Sequence, residues 1–188
     1  MPRDEFSDQM WFTYKARFNA HARLTLQDIF CSIITAVLSL FIIIINIIQL
    51  VPNLIIINQL ATTCYTISLS IIILVISLVF SLSNKRKQAE CFHACALEIQ
   101  RIYREYTTRQ NILTDEEKKG FTARYDNVLL KYNINHSHSD YQKVKITKEG
   151  IKFKSILFYY IVTFFTNCFI FILLLIVPII IGILIIKS

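Results

Sequence analysis

Three long apolar runs without a single charged residue govern what this chain can fold into: Ile29 to Val51, Ala61 to Leu82 and Ile156 to Ile186. Each reaches the roughly 20 residues a helix needs to cross a hydrocarbon core about 30 Å thick. A chain of 188 residues has too little other sequence to surround three such helices in water. They are therefore predicted to lie in a membrane. Ile dominates the runs, and the chain holds only three Gly and three Pro. That pattern suits helices, whereas a barrel needs short alternating strands and frequent turns. The first two dozen residues are charged and aromatic, so a cleaved signal peptide is not expected. The predicted class is an all-α integral membrane protein with long helices extending into a cytosolic bundle.

Charge sets the expected orientation. The link between the first two runs, Val51 to Leu60, carries no charge. The segment from Asn84 to Lys154 begins with Lys85, Arg86 and Lys87 and ends with Lys143, Lys145, Lys148, Lys152 and Lys154. Basic residues near span ends mark the cytoplasmic side, so the N-terminus and the middle segment are expected inside and the C-terminus outside. The division that follows is a cytosolic amphipathic helix over 1–28, a hairpin over 29–83 with spans 29–51 and 61–82, a cytosolic helical region over 84–154, and a third span over 155–188. The third run has 31 residues, too few for two crossings, and is predicted to form one long helix, tilted or bent near Pro178. The formal net charge of +7 follows from topology and anionic headgroups. The basic residues lack the interleaved aromatics of a nucleic-acid surface, so direct nucleic-acid binding is not expected.

Periodicity organises the middle segment. Phe92, Ala96, Ile99, Tyr103 and Tyr106 fall on one helix face. With no Gly or Pro over Asn84 to Gln88, this helix is expected to continue the second span unbroken. Thr114-Asp115-Glu116-Glu117 reads as a capping box opening a helix with the stripe Phe121, Tyr125, Val128 and Tyr132. Before the first span, Trp11, Tyr14, Phe18 and Ala22 form a further stripe, expected to pack on the inner helices rather than lie on the bilayer. The five cysteines show neither a disulfide framework nor a zinc signature. Cys91 and Cys95, one turn apart, read as small residues on a buried helix face.

Polar residues inside the apolar runs are not scattered. Ser32, Thr35, Ser39, Asn46, Gln49 and Asn53 fall on steps of three and four, with Ile42 filling the one gap, so they share one face of one helix. Thr63, Thr66, Ser70, Ser77 and Ser81 repeat the device in the second run, and Thr163, Thr166 and Asn167 lie in the third. Two readings compete. Small hydroxylated residues let helices approach and bond across an interface, or they form a water-facing wall. Asn46 and Gln49 weigh toward the second, because an amide facing lipid is costly. No run holds Asp, Glu, Lys, Arg or His, which argues against a proton-coupled transporter. Three spans cannot enclose a conduit, so any pore requires several copies around an axis.

The densest polar cluster is Asn135-His136-Ser137-His138-Ser139-Asp140-Tyr141. Two His near an Asp have the chemistry of a metal ligand set or an acid–base site. The plainer reading is a connecting loop in which Ser139 or Asp140 caps the next helix, and it is preferred here because no second ligand cluster or nucleophile accompanies the His pair. Neither metal nor cofactor is expected.

Taken together, these motifs resemble a known family. A helix with Trp11-Phe12-x-x-Lys15-x-Arg17 leads into a two-span hairpin; a long helix with Arg101-Ile102-Tyr103 follows, and then Asn135-His136-Ser137…Asp140-Tyr141. The pattern is similar to the SLATT proteins, in particular the subgroup with an additional C-terminal span. The resemblance implies a bacterial inner-membrane effector of antiviral defence that oligomerises into a pore and depolarises the infected cell. It also implies an operon partner such as a reverse transcriptase or a nucleotidyltransferase making a nucleotide signal. His138 departs from the motif and inherits no role. The expected function is an oligomeric effector whose inner part holds the assembly shut or open, causing growth arrest or cell death when triggered. The alternatives are a non-conducting anchor or inhibitor that recruits a cytosolic enzyme, and, least favoured, an enzyme using the His cluster.

Overall fold

A computed structural model of the chain describes residues 4–50, 59–149 and 176–182. The described residues are helical apart from short turns. Five helices follow in order: α1 (Glu5–Leu50), α2 (Gln59–Leu82), α3 (Lys85–Arg109), α4 (Asp115–Tyr132) and α5 (His138–Glu149). Residues 176–182 are also helical. Two of the described helical stretches are long and apolar enough to cross a membrane, one in α1 and one beginning at Gln59. The chain divides into two compact units, Met1–Thr25 with Arg86–Ile161, and Leu26–Lys85 with Val162–Ser188. The loop around Pro52, Thr163, Thr166, Asn167, Cys168 and most of the expected third span lie outside the described residues.

The first unit is a helical bundle around a buried aromatic and apolar core. Its core joins Met10 and Tyr14 of α1, Cys95, Ala96, Ile99, Ile102 and Tyr106 of α3, and Phe121, Tyr125 and Val128 of α4. The α3 and α4 stripes read from the sequence are the packed ones, with Tyr103 and Tyr132 half-buried at the rim. The α1 stripe differs. Its buried line runs Ser7, Met10, Tyr14, Arg17 and Leu24, while Trp11 and Phe18 pack at the edge and Ala22 is exposed. The reason is that two polar residues, Ser7 and Arg17, sit on the buried face, and hydrophobic periodicity shifts its phase to avoid them. Ser7 is held by Asp4, which accepts from its backbone N–H at 2.8 Å. The Tyr106 hydroxyl also donates to Asp4. Burial and that carboxylate push the Tyr106 pKa up to about 12, so the phenol stays a neutral donor.

The helix ends explain the chain's turns. Thr114 and Glu117 form the expected capping box, each side chain accepting from the other's backbone N–H. Asn133 closes α4 in the left-handed region at φ 44°, its N–H donating to Leu129 O at 2.9 Å. The expected unbroken helix from the second span into the middle segment is interrupted. Ser83 and Asn84 form a turn between α2 and α3, with Asn84 at φ 49°. Asn tolerates the left-handed conformation without help from Gly or Pro, which is why their absence was misleading.

In the second unit, α1 and α2 pack through an apolar seam of Leu38, Ile42, Leu69 and Ile73, with Ile34, Phe41 and Tyr65 beside it. Their outward faces carry exposed Ile, Leu and Val, among them Ile29, Ile33, Leu40, Ile47, Ile71 and Leu78. Such a surface is stable in lipid and not in water. Residues 176–182 meet the hairpin at Phe41 and Tyr65. The Tyr65 hydroxyl donates to Pro178 O, and a Cβ on Gly182 would come within 2.9 Å of the Phe41 ring. Glycine there permits the close approach.

Candidate functional site

Two constellations emerge, one in each unit. In the hairpin, the polar stripes of α1 and α2 open onto one side of the apolar seam. One stretch of groove, about 410 Å³, is lined by Asp28, Cys31, Ser32, Thr35, Ala36, Ser77, Phe80 and Ser81. The next, about 400 Å³, is lined by Thr35, Ser39, Ile42, Ile43, Ser70, Ile73, Leu74 and Ser77. Thr35 and Ser77 belong to both, so the two stretches form a continuous trough.

The hydroxyls in this trough do not hold α1 to α2. Ser32 donates to Asp28 O at 3.1 Å, Thr35 to Cys31 O at 2.9 Å and Ser39 to Thr35 O at 2.8 Å. On α2, Ser70 donates to Thr66 O at 2.8 Å. Each bond returns to the residue's own helix, where it satisfies the donor and leaves oxygen lone pairs facing outward. The structure thus gathers Ser32, Thr35, Ser39, Ser70 and Ser77 from the sequence-derived stripes. Thr66 lies instead in the buried seam, Thr63 and Asn46 are exposed outside the trough residues, and Gln49 is half-buried with Nε2 lacking a partner among the described residues. Asp28 and Phe80 join the trough unannounced, because both stand at the margins of the apolar runs.

The second constellation is the Asn-His-Ser…Asp-Tyr motif. Asp140 is 3% exposed and is its anchor. Arg23 of α1 grips it in a two-point fork, Nε to Oδ1 at 3.1 Å and Nη2 to Oδ2 at 3.0 Å. Ser137 donates to Asp140 Oδ2 from its backbone N at 3.2 Å and from Oγ at 2.7 Å. The Asp140 N–H returns to Ser137 Oγ at 3.4 Å. This is a second capping box, with Ser137 as the cap of α5 and Asp140 three residues on. The cap therefore falls at Ser137 rather than at the expected Ser139 or Asp140, with Asp140 as its reciprocal partner. Asn19 Nδ2 donates to Asp140 O at 3.2 Å, which ties α5 again to α1.

His136 and Arg17 lie behind this clasp. Arg17 is 3% exposed; it donates to Cys95 Sγ and, at 3.2 Å, to Ile134 O, while its Nε has no partner among the described residues. Burial pushes the Cys95 thiol up, and Arg17 offsets only part of that. The His136 ring stacks on Tyr141 with centroids 6.2 Å apart, and its Nδ1 is buried without a partner among the described residues. Asn135 and His138 are exposed; His138 Nε2 meets Gln142 Nε2 at 3.0 Å. Among the described residues no three His, Cys, Asp or Glu side chains converge to hold a metal ion. The partners Arg17, Asn19 and Arg23 were invisible to spacing arguments, since they lie more than a hundred residues from the motif. The only signal was that each is a polar residue on an otherwise amphipathic stripe.

Burial, then Arg17, holds the His136 pKa below its usual 6.5, against the pull of Asp140. The fold therefore keeps this imidazole neutral while the unfolded chain binds a proton below about 6.5. The stabilisation is present above that pH and is lost as pH falls through the lowered folded value. Thermal unfolding in detergent at about pH 7.5 and about pH 5.5 should show a larger acid-induced drop for the native chain than for His136→Gln. Equal drops would mean that His136 does not titrate between the two states.

A family model described as SMODS and SLOG-associating 2TM effector domain family 5 (SLATT_5) matches residues 2–184. The chain belongs to this family. No curated protein and no solved structure matches it. Membership agrees with the resemblance carried by the N-terminal helix, the hairpin and the Ser137–Asp140 motif. The SLATT_5 chain described here is thus an all-helical membrane protein and a defence-associated two-span effector. In it the motif residues serve as the joint that fastens α5 to α1.

Proposed function

We propose that this SLATT_5 protein is an oligomeric effector of bacterial antiviral defence that conducts ions across the inner membrane when triggered, arresting growth. The shared trough carries the reading. Two helices place Ser32, Thr35, Ser39, Ser70 and Ser77 on one side of an apolar seam that does not use them for its own packing. Copies arranged around an axis would turn this side inward and the exposed Ile and Leu faces toward lipid. The third span completes each copy, with the N-terminus and the middle segment in the cytosol. The trigger comes from an operon partner, a nucleotidyltransferase or a reverse transcriptase. No catalytic step belongs to this function; the His motif is a structural joint.

One observation favours a second reading, that of a non-conducting anchor. An open groove of about 530 Å³ between α3 and α4, lined by Leu97, Glu98, Arg101, Arg104 and Tyr132 among others, presents charged and apolar side chains that a partner enzyme could contact. Vesicles loaded with a fluorescent ion indicator separate the two. Purified protein should release the ion gradient as a pore and should leave it intact as an anchor. In cells, a cysteine replacing Thr114 in a chain without native Cys should react with an impermeant thiol reagent only after permeabilisation. Labelling of intact cells would reverse the orientation.

A further inference from the structure

We infer that Asp28 makes the conduit selective for cations, an inference that rests on the pore reading above. Asp28 is the only charged residue between Arg23 and Lys85 in the sequence. It is also the only charged side chain among the described residues lining the trough, where it stands beside Ser32, Ser77 and Ser81. Lys85 is engaged elsewhere, donating to Gln27 Oε1 at 3.2 Å and lying 5.1 Å from the Phe80 ring centroid. Asp28 makes no ion pair among the described residues.

The physical consequence is direct. A carboxylate at one end of a polar groove in a low-dielectric wall concentrates cations there and repels anions. When copies surround an axis, one Asp28 from each forms a ring, the device by which carboxylates confer cation selectivity. The other polar trough groups are uncharged hydroxyls, those of Ser32, Thr35, Ser39 and Ser70 bonded back to their own helices, and hydroxyls solvate an ion of either sign without discriminating. Selectivity therefore concentrates at one residue, and the favoured class is small hydrated monovalent cations rather than chloride.

Reversal potentials across a planar bilayer under a potassium chloride gradient test this, with particle mass recorded for every variant. The native chain should reverse toward the potassium equilibrium potential. Asp28→Asn should lower the potassium-to-chloride permeability ratio at least roughly threefold, the loss expected for one screened charge at a few ångströms. Asp28→Glu should retain the preference, and Ser81→Asp in the Asp28→Asn chain should restore it by returning a carboxylate across the trough. An unchanged ratio in a conducting Asp28→Asn particle overturns the inference and leaves the pore standing. Should Asp28→Asn carry no current, Ser81→Asp in the otherwise native chain reads the same field: a raised cation preference supports the inference, and none overturns it. Absence of current in the native chain, with an intact particle, overturns the pore and this inference together.

Discussion

Replacing Ser39 and Ser77 together by Leu is expected to abolish ion leakage while leaving the mass and abundance of the particle unchanged. The two residues face the trough from opposite helices and lie outside the apolar seam. The added isobutyl groups therefore enter the groove rather than the α1–α2 contact. A water-filled path narrowed and made apolar dewets and closes. The outcome expected if these residues only pack helices is different. A neighbouring copy seated in the trough would meet two bulky side chains, and interhelical contacts worth on the order of 0.6 to 2 kcal/mol each would go. Mass and leakage would then fall together. Leakage measured with native particle mass on one preparation separates the outcomes. Undiminished leakage from a normal particle would sink the claim that this trough is the conduit.

The largest loss of stability is expected from Asp140→Ala. Asp140 is buried, accepts the Arg23 fork, and completes the capping box with Ser137. Removing one partner of a buried pair costs about 3 to 5 kcal/mol, because the other charge stays unpaired. Arg23 keeps 24% of its side-chain surface exposed and can recover water, which points to the lower end, roughly 3 kcal/mol. The lost cap adds about 1 kcal/mol. Denaturant unfolding in detergent, followed by fluorescence of the lone Trp11 in the first unit, reads the change. Arg23→Met combined with Asp140→Leu should be less harmful than Asp140→Ala alone, since no buried charge remains unpaired. A loss below about 1 kcal/mol for Asp140→Ala would show that the clasp does not hold α5.

Much of this molecule was legible in its residues. Uninterrupted apolar length announced the hairpin, because a bilayer imposes a fixed thickness and that requirement is local to each run. The faces of α3 and α4 and the box at Thr114 were legible for the same reason, since helical periodicity and capping act over three or four residues. The polar stripes were visible as stripes. Phase on a single helix does not say which neighbour it faces, so Thr66 in the seam and Ser70 in the trough looked equivalent. The α1 stripe was misjudged where Arg17 and Ser7 break the apolar rule, because their burial is made tolerable by groups elsewhere, Cys95, Ile134 and Asp4.

The sequence by itself determined the class of this protein: helices that must lie in lipid, joined to helices that must bury an aromatic core. It did so because solvent preference is additive along the chain and needs no knowledge of partners. Only the tertiary structure decided what the polar groups are for. It put two half-grooves side by side, made Asp28 the single charge along them among the described residues, and closed Arg23 onto Asp140 across 117 residues of sequence. A buried or unpartnered charge is resolved by whatever the fold brings within about 3 Å, and that juxtaposition is a property of packing rather than of any local segment.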